Sequence, residues 1–409
     1  MSKLNELMQQ SCPNGVKYAT LGELGTFLGG LSGKSKTDFS DGNATLITYK
    51  NVYMNPSLNM NVDDKVKISV GEKQRKIEYG DVLFTGSSET PDECGFSSVV
   101  TQVPKEDMYL NSFCFIFRLH DLSIFLPDFL KHLFRSSELR RQIGKTANGV
   151  TRYNVSKKLM GKVRIPIPPL PVQEEVVRIL DTFTELTAEL TAELTAELTA
   201  RKKQYEYYRD ELFKSDLRES KIDRVSLMDI AENCDKERKP ITSSKRVSGK
   251  YPYYGASGIV DYVEDFIFDG DYLLISEDGA NLTARVTPIA FSISGKNWVN
   301  NHAHVLRFSD LITQRFVEHY LNAISLEPWI TGGAQPKLNQ KNLNSIEIPL
   351  PDIETQKKAV KILDGLFEIH SSLENGIPAE IAARQKQYEY YRDKLLDFKE
   401  LKPEGADSN

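Results

Sequence analysis

Cysteine is scarce in this chain: four residues in 409, Cys12, Cys94, Cys114 and Cys234, with no CxxC spacing. That excludes a disulfide framework and a cysteine-based zinc site, and it reads as reduced thiols of a cytoplasmic protein. Long apolar runs are missing too. No stretch approaches the roughly 20 residues of a membrane span, and the start, Met1–Gln10, is polar rather than signal-like. No membrane partner is expected. Net positive charge is also lacking: the formal charge is −5, which taken alone argues against a nucleic-acid partner.

Catalytic and cofactor motifs are absent as well. Gly29-Gly30-Leu31-Ser32-Gly33-Lys34-Ser35 resembles a phosphate loop, but the first glycine of that pattern is replaced by Leu28. Asn55-Pro56-Ser57 is not the Asn/Asp-Pro-Pro-aromatic motif of an amino-methyltransferase. Pro91-Asp92 with Glu106 lacks the Glu-x-Lys triplet of a nuclease, and His302-Ala303-His304 has no acid or cysteine at metal spacing. The expectation is therefore no catalytic residue, no cofactor and no metal on this chain.

What is present is repetition. Thr187-Ala188-Glu189-Leu190 occurs three times in succession, through Leu198. Ala, Glu and Leu are strong helix formers, and no Gly or Pro interrupts residues 172–213. Leu186, Leu190, Leu194 and Leu198 stand four apart and form one apolar stripe. Each four-residue unit advances about 6 Å along the axis and overshoots a full turn by about 40°, so the repeats behave as a ruler. A larger repeat surrounds them. Arg201–Asp210 recurs as Arg384–Asp393 with one difference, Lys202 against Gln385. Ile165-Pro166-Ile167-Pro168 matches Ile348-Pro349-Leu350-Pro351, and Ile179-Leu180-Asp181 matches Ile362-Leu363-Asp364, all at one constant offset. The chain is a duplication.

The duplication gives the expected organisation. A first domain covers 1–170. It has strands at Leu46–Tyr49, Val82–Phe84, Ser97–Val103 and Phe113–Phe117, helical spacing over Pro127–Ile143, and a loop at Asn148–Asn154. The repeat-bearing helix covers 171–215, starting at the proline hinge. A second domain of the same plan covers 216–353, and a distal helix 354–400, broken near 375–378 by Gly376 and Pro378. A disordered tail is expected at 401–409. The fold class is α+β: two similar mixed α/β domains separated by long helices that pair as an antiparallel coiled coil, pseudo-two-fold symmetric. Such a rod would be about 60 Å long at 1.5 Å per residue.

Two domains of one fold with different surfaces suit a split target. The net charge conceals basic clusters: residues 131–164 hold ten Lys and Arg against Glu138 alone. Phosphates call for Lys and Arg, and base edges for Asn, Gln, Arg and Ser. The candidate DNA contacts in the first domain are Lys34, Lys36, Tyr49, Lys50, Asn51, Ser87, Ser88, Lys145, Asn148, Arg152 and Tyr153. In the second they are Lys239, Lys245, Arg246, Lys250, Tyr253, Tyr254, Asn281, Arg285, Asn301, His302, Gln335 and Lys337. Leu186, Leu190, Leu194, Leu198, Tyr205, Tyr208, Tyr388 and Tyr391 are candidates for the spacer and for partner binding. The competing reading is a helical adaptor that organises proteins and never touches DNA.

The Thr-Ala-Glu-Leu repeats, the two Lys-Gln-Tyr-Glu-Tyr-Tyr-Arg-Asp helix ends and the paired proline hinges resemble the specificity subunit of type I restriction–modification enzymes, in the type IC class. Tyr251–Tyr262 and Asn300–Phe308 are similar to a target-recognition domain of that family. The resemblance covers essentially the whole chain. It implies a non-catalytic subunit that reads an asymmetric bipartite site on double-stranded DNA, one domain per half-site, in a bacterial or archaeal cytoplasm. It implies two methyltransferase subunits on the helices, which carry S-adenosylmethionine and methylate adenine. Motor–nuclease subunits, using ATP and Mg, join through them and cleave unmodified DNA. In this class the tetrapeptide count sets the unread spacer, and three copies imply the longer one.

Overall fold

The chain is described here from a computed structural model, in which residues 3–214, 222–333 and 335–401 are described. Of the expected disordered tail at 401–409, Leu401 is described and its N–H bonds the Val16 carbonyl, while residues 402–409 and the expected junction at 215–216 lie outside the described residues. Compactness divides the chain into two units, Met1–Ala192 with Glu380–Asn409, and Glu193–Ala379. This division cuts both long helices, where the sequence reading kept each helix whole.

The first unit is built on a four-stranded antiparallel sheet in the order Gly25–Gly29, Cys114–Leu119, Val82–Thr85, Ser97–Val99. Its central strands are apolar at nearly every position because both faces are covered. Side chains alternate along a strand. Val82, Phe84, Phe115 and Phe117 enter one core, with the helices, while Leu83, Cys114 and Ile116 enter a second core on the opposite face. A short ladder pairs Lys17–Thr20 with Arg164–Ile167.

The second unit repeats the arrangement. Its antiparallel sheet runs Ala231–Asn233, Ala303–Phe308, Tyr272–Ser276, Ala290–Ile293. Leu273, Ile275 and Leu306 face one core and Tyr272, Leu274 and Val305 the other. Arg224–Ser226 pairs with Glu347–Pro349 as the counterpart of the short ladder. The shared Gly-Asp before each central strand has a backbone cause: Gly80 and Gly270 both take positive φ, 84° and 147°, conformations that favour glycine.

Each long helix is anchored by its first turns. The central helix spans Leu170–Lys214, and Val172, Val176 and Leu180 are fully buried in the first core. The distal helix spans Ile353–Leu395 and buries Ala359, Val360 and Leu363. Each anchor carries the same clamp. His132 Nε2 lies 2.7 Å from Asp181, and His319 Nε2 lies 2.8 Å from Asp364. The two aspartates occupy equivalent positions of the duplication, and burial pushes both imidazoles below their ordinary value. Beyond the anchors the helices cover one another. Phe183 stacks on Tyr391 in the first unit, at 5.6 Å and 18°, and Tyr205 meets Phe367 in the second, at 6.1 Å. Early residues of one helix thus meet late residues of the other, as antiparallel pairing requires. The threonines fit because their hydroxyls bond back along the helix: Thr191 to the Thr187 carbonyl and Thr199 to that of Thr195.

Four local expectations are corrected. The distal helix does not break at 375–378; it continues through Gly376 and Pro378. Proline costs a helix interior one hydrogen bond and a ring clash, but Ile377 beside it is buried, so packing holds the turn. Because an interior proline costs about 3 kcal/mol relative to alanine, Pro378→Ala should raise stability by about 1–3 kcal/mol. Urea unfolding of the full chain measures it, and a loss of stability would mean that the helix needs a break there. The helical spacing of Pro127–Ile143 is two helices, Pro127–Leu133 and Ser137–Gly144, because Ser136 caps the second by accepting from Leu139 N–H. Tyr49 does not end a strand; Thr48 caps a helix, Tyr49–Met54, that begins with it. The loop Asn148–Asn154 closes into a hairpin, Ala147–Asn148 with Tyr153–Val155.

Candidate nucleic-acid interface

In the first domain these corrections make a site. The helix beginning at Tyr49 brings Tyr49 and Tyr53, one turn apart, onto one face, with rings 6.2 Å apart and 16° from parallel. The hairpin strand Tyr153–Val155 pairs with Ser87–Ser88 and carries Arg152 beside Ser87. Together with Glu89, Glu93, Phe113 and Thr151 they line a cavity of about 510 Å³.

The groups in this cavity are held in place. Tyr49 donates to the Ser87 carbonyl at 2.7 Å. Arg152 donates twice to Ser87 Oγ, at 3.3 and 3.1 Å, with its guanidinium 5.8 Å from the Phe113 ring. Glu93 accepts from the hydroxyls of Thr90, Ser88 and Tyr53. Those three donors hold its carboxyl below the usual carboxylate range, so it stays ionised. Burial pushes the Tyr49 and Tyr53 phenols up, so they stay protonated donors. Phe113 is exposed, at 59%. The arrangement offers a fixed acceptor, a planar donor fork and aromatic faces, which is recognition chemistry.

The expected residues divide by where they fall. Tyr49, Ser87, Ser88 and Arg152 converge on the cavity, and Tyr153 lies on its strand opposite Ser88. Lys36, Lys50, Lys145 and Asn148 are exposed around the same domain. Two are corrected. Lys34 Nζ is bound to Glu72 at 2.6 Å, with its side chain only 7% exposed, so it ties a loop. Asn51 is buried, donating to the Asn59 carbonyl and accepting from Asn55, so it cannot reach a base. Glu93, Tyr53 and Phe113 line the same cavity and are not among the expected residues. Tyr53, four residues after Tyr49, was the legible signal, but only on a helix.

In the second domain Lys239, Lys245, Lys250, Asn301, His302, Gln335 and Lys337 are exposed. His302 pairs with Asp278 at 2.9 Å and Lys337 with Glu277 at 3.2 Å. Tyr254 is half-buried against Phe291. Four are corrected. Tyr253 is 1% exposed and its hydroxyl accepts from Ile241 N–H. Arg246 covers that ring at 4.4 Å and pairs with Asp261. Arg285, left-handed at φ 52°, donates to the Leu321 and Ile324 carbonyls, and Asn281 closes its loop on Thr287. These four are structural because the polypeptide itself satisfies them.

His304 also departs from expectation. Acids do lie beside it: Asp235 and Glu277, brought from other segments, approach within ligand distance. The cluster already has its cation. Arg238 donates to Glu277 at 2.7 Å and lies 3.4 Å from Asp235, while His304 Nε2 is engaged by the Leu338 carbonyl.

On the helices, Tyr388 is tied to His132 at 3.1 Å and Tyr205 is half-buried against Phe367, so both serve the internal spacer. Tyr208 and Tyr391 remain exposed, as does Leu186, at 58%, while Leu190, Leu194 and Leu198 are half-buried. All four cysteines are buried and free, and no helix among the described residues is long and apolar enough to cross a membrane.

Comparison with known proteins agrees with this geometry. The family model of the type I restriction modification DNA specificity domain matches residues 13–200 and again 219–383. The chain is 40% identical over 186 residues, 44% of its length, to a Haemophilus influenzae protein named as a putative type I restriction enzyme specificity subunit. It is 38% identical over 211 residues, 51% of its length, to the specificity subunit of the Escherichia coli restriction enzyme EcoprrI. The matched regions span about half the length of each relative, 48% and 51%. Among solved structures, the HsdS subunit from Thermoanaerobacter tengcongensis shares the fold, with TM-score 0.58 at 18% identity over 94% of this chain and 97% of that one. With both halves matched by one family model, the chain belongs to the type I restriction–modification DNA specificity family.

Proposed function

We propose that this chain is the specificity subunit of a type I restriction–modification complex of the type IC class. It reads a bipartite site on double-stranded DNA, one domain per half-site. The observation that carries the reading is one sheet order built twice with different side chains on its loops. In the first domain Glu93 suits the exocyclic amine of cytosine or adenine, and Arg152 suits guanine O6 and N7. Exposed lysines of both domains hold phosphates and fix register without carrying sequence.

The chain has no catalytic centre of its own in this reading. Two methyltransferase subunits, each with S-adenosylmethionine, dock on the helices, and motor–nuclease subunits with ATP and Mg join through them in the cytoplasm. The duplicated tyrosine pairs support two equivalent docking points. Tyr207–Tyr208 and Tyr390–Tyr391 have the same edge-to-face geometry, 5.5 Å at 73° and 5.4 Å at 72°.

The test is a DNA-binding titration of the methyltransferase complex across salt. Neutralised phosphates release counterions, so log K should fall linearly with log salt, with slope about −0.9 per contact. Arg152→Ala should weaken binding to the cognate site by about 1–3 kcal/mol and relax preference at one base pair. Binding that is indifferent to salt would favour the adaptor reading.

A further inference from the structure

We propose that a second cavity of the first unit, of about 630 Å³, receives a carboxylate side chain of the docking methyltransferase subunit. The proposal rests on the functional reading above. The cavity lies where Pro127–Leu133 and Ser137–Gly144 meet the long helices at Asp181–Thr184 and Gln385–Arg392. Its cations are Lys131, Arg135, Arg140 and Arg392, and its carboxylates are Asp181 and Glu389.

Counted with Asp128 and Asp393, which pair with Lys131 and Arg392, cations and carboxylates are equal in number, but two of the cations have no carboxylate against them. Asp181 is shared between Lys131 at 2.8 Å and His132 at 2.7 Å. Arg392 pairs with its neighbour Asp393 at 2.9 Å. Among the described residues no carboxylate pairs with Arg135 or Arg140. Arg135 donates to the Ser97, Val52 and Tyr53 carbonyls, and Arg140 to those of Gly95, Asp92 and Cys94. Carbonyl dipoles satisfy N–H groups but leave the charge. Both guanidiniums lie against one ring, Phe96, at 4.6 and 4.2 Å. Burial pushes both down to about 10, and at Arg135 repulsion from Arg140 and Arg392 adds to it. Both remain cations at neutral pH.

The second domain supplies an internal control. Where Phe316–Tyr320 repeats Phe129–Leu133, the position matching Arg135 is Asn322. Asn322 does part of that structural work without charge: it bonds the Ala290 carbonyl of the sheet's outer strand, as Arg135 bonds that of Ser97, while the Val52 and Tyr53 carbonyls are held by Arg135 alone. Pinning that strand therefore does not need a cation. Nearby, Arg315 is bonded to Glu318 and to Asp364. At this position of the duplication the unpaired guanidinium belongs to the first domain alone.

A protein carboxylate fits better than a DNA phosphate. The cavity is lined on one side by Asp181, Thr184, Gln385, Tyr388 and Glu389 of the helices proposed to carry the partner, and it shares no residue with the cavity of Tyr49 and Arg152.

The experiment compares the native full chain with R135N, which copies the second domain, and with R135K, which keeps the charge. Assembly with methyltransferase subunits is titrated, and the methylated motif is then sequenced. R135N should weaken assembly about ten-fold or more; because it also releases the Val52 and Tyr53 carbonyls of the helix that carries Tyr49 and Tyr53, its effect is scored on assembly against R135K. R135K should assemble within a few-fold of native, and R140Q should behave like R135N. Equal assembly by native chain and R135N overturns the pocket alone. Equal loss in R135K and R135N also overturns it, because charge is then not the cause. Unchanged assembly, with DNA binding weakened in R135N but not in R135K, assigns the cavity to phosphate and overturns the partner. A native chain that captures no methyltransferase overturns both this proposal and the functional reading.

Discussion

A chain lacking Thr187–Leu190 should direct methylation to sites whose half-sites are unchanged and whose spacer is one base pair shorter. The repeats lie inside one uninterrupted helix, Leu170–Lys214, so a deletion within it must be taken up as translation and rotation. One tetrapeptide contributes about 6 Å and about 40° beyond a full turn. One base pair contributes about 3.4 Å and, at about 10.5 base pairs per turn, about 34°. The rotations agree and the lengths do not, so helix tilt or DNA bending absorbs the remaining difference. Because the period is four residues, the deletion also keeps Leu186 in line with Leu194 and Leu198. Removal of three residues would swing the stripe the other way and should abolish methylation. Sequencing of methylated adenines in cells carrying the complex measures the outcome; altered half-sites would end the ruler account.

Exchange of residues 222–349 for the matching segment of another family member should replace one half-site completely and leave the other untouched. The boundaries follow the structure. Arg224–Ser226 pairs with Glu347–Pro349, so this span carries both strands of its closing ladder. Its core, from Leu227 to Ile348, is internal apart from packing by Phe213. Each mismatched base pair costs about 1–3 kcal/mol roughly additively, so methylation at the original second half-site should fall below detection. A change in both half-sites would mean that the domains do not read independently.

The two expectations differ in how directly residues express them. The helices were legible because the pattern that makes them repeats in sequence: Leu at every fourth position, and one constant offset that relates Asp181 to Asp364 and Tyr205 to Tyr388. The sheet strands were legible as apolar runs, since both faces of Val82–Thr85 and Tyr272–Ser276 are buried. The cavity of the first domain was only half legible. Tyr49, Ser87, Ser88 and Arg152 are candidates by residue type, but they meet only because a helix starts at Tyr49 and a hairpin turns at Gly149. Glu93 was missed because a lone acid carries no signal until three hydroxyls surround it. Pro378 misled because a local rule was outweighed by packing at Ile377.

Sequence by itself determined the duplication, the rigid repeat-bearing helix and the absence of motifs for catalysis, since these depend on spacing along one chain. Only tertiary structure decided which polar groups are spent internally and which stay free. Asn51, Tyr253, Arg246 and Arg285 look like base readers until their partners arrive from distant segments. The reason is that a hydrogen bond is a three-dimensional coincidence of donor and acceptor, good to a few tenths of an ångström, and no linear pattern encodes it.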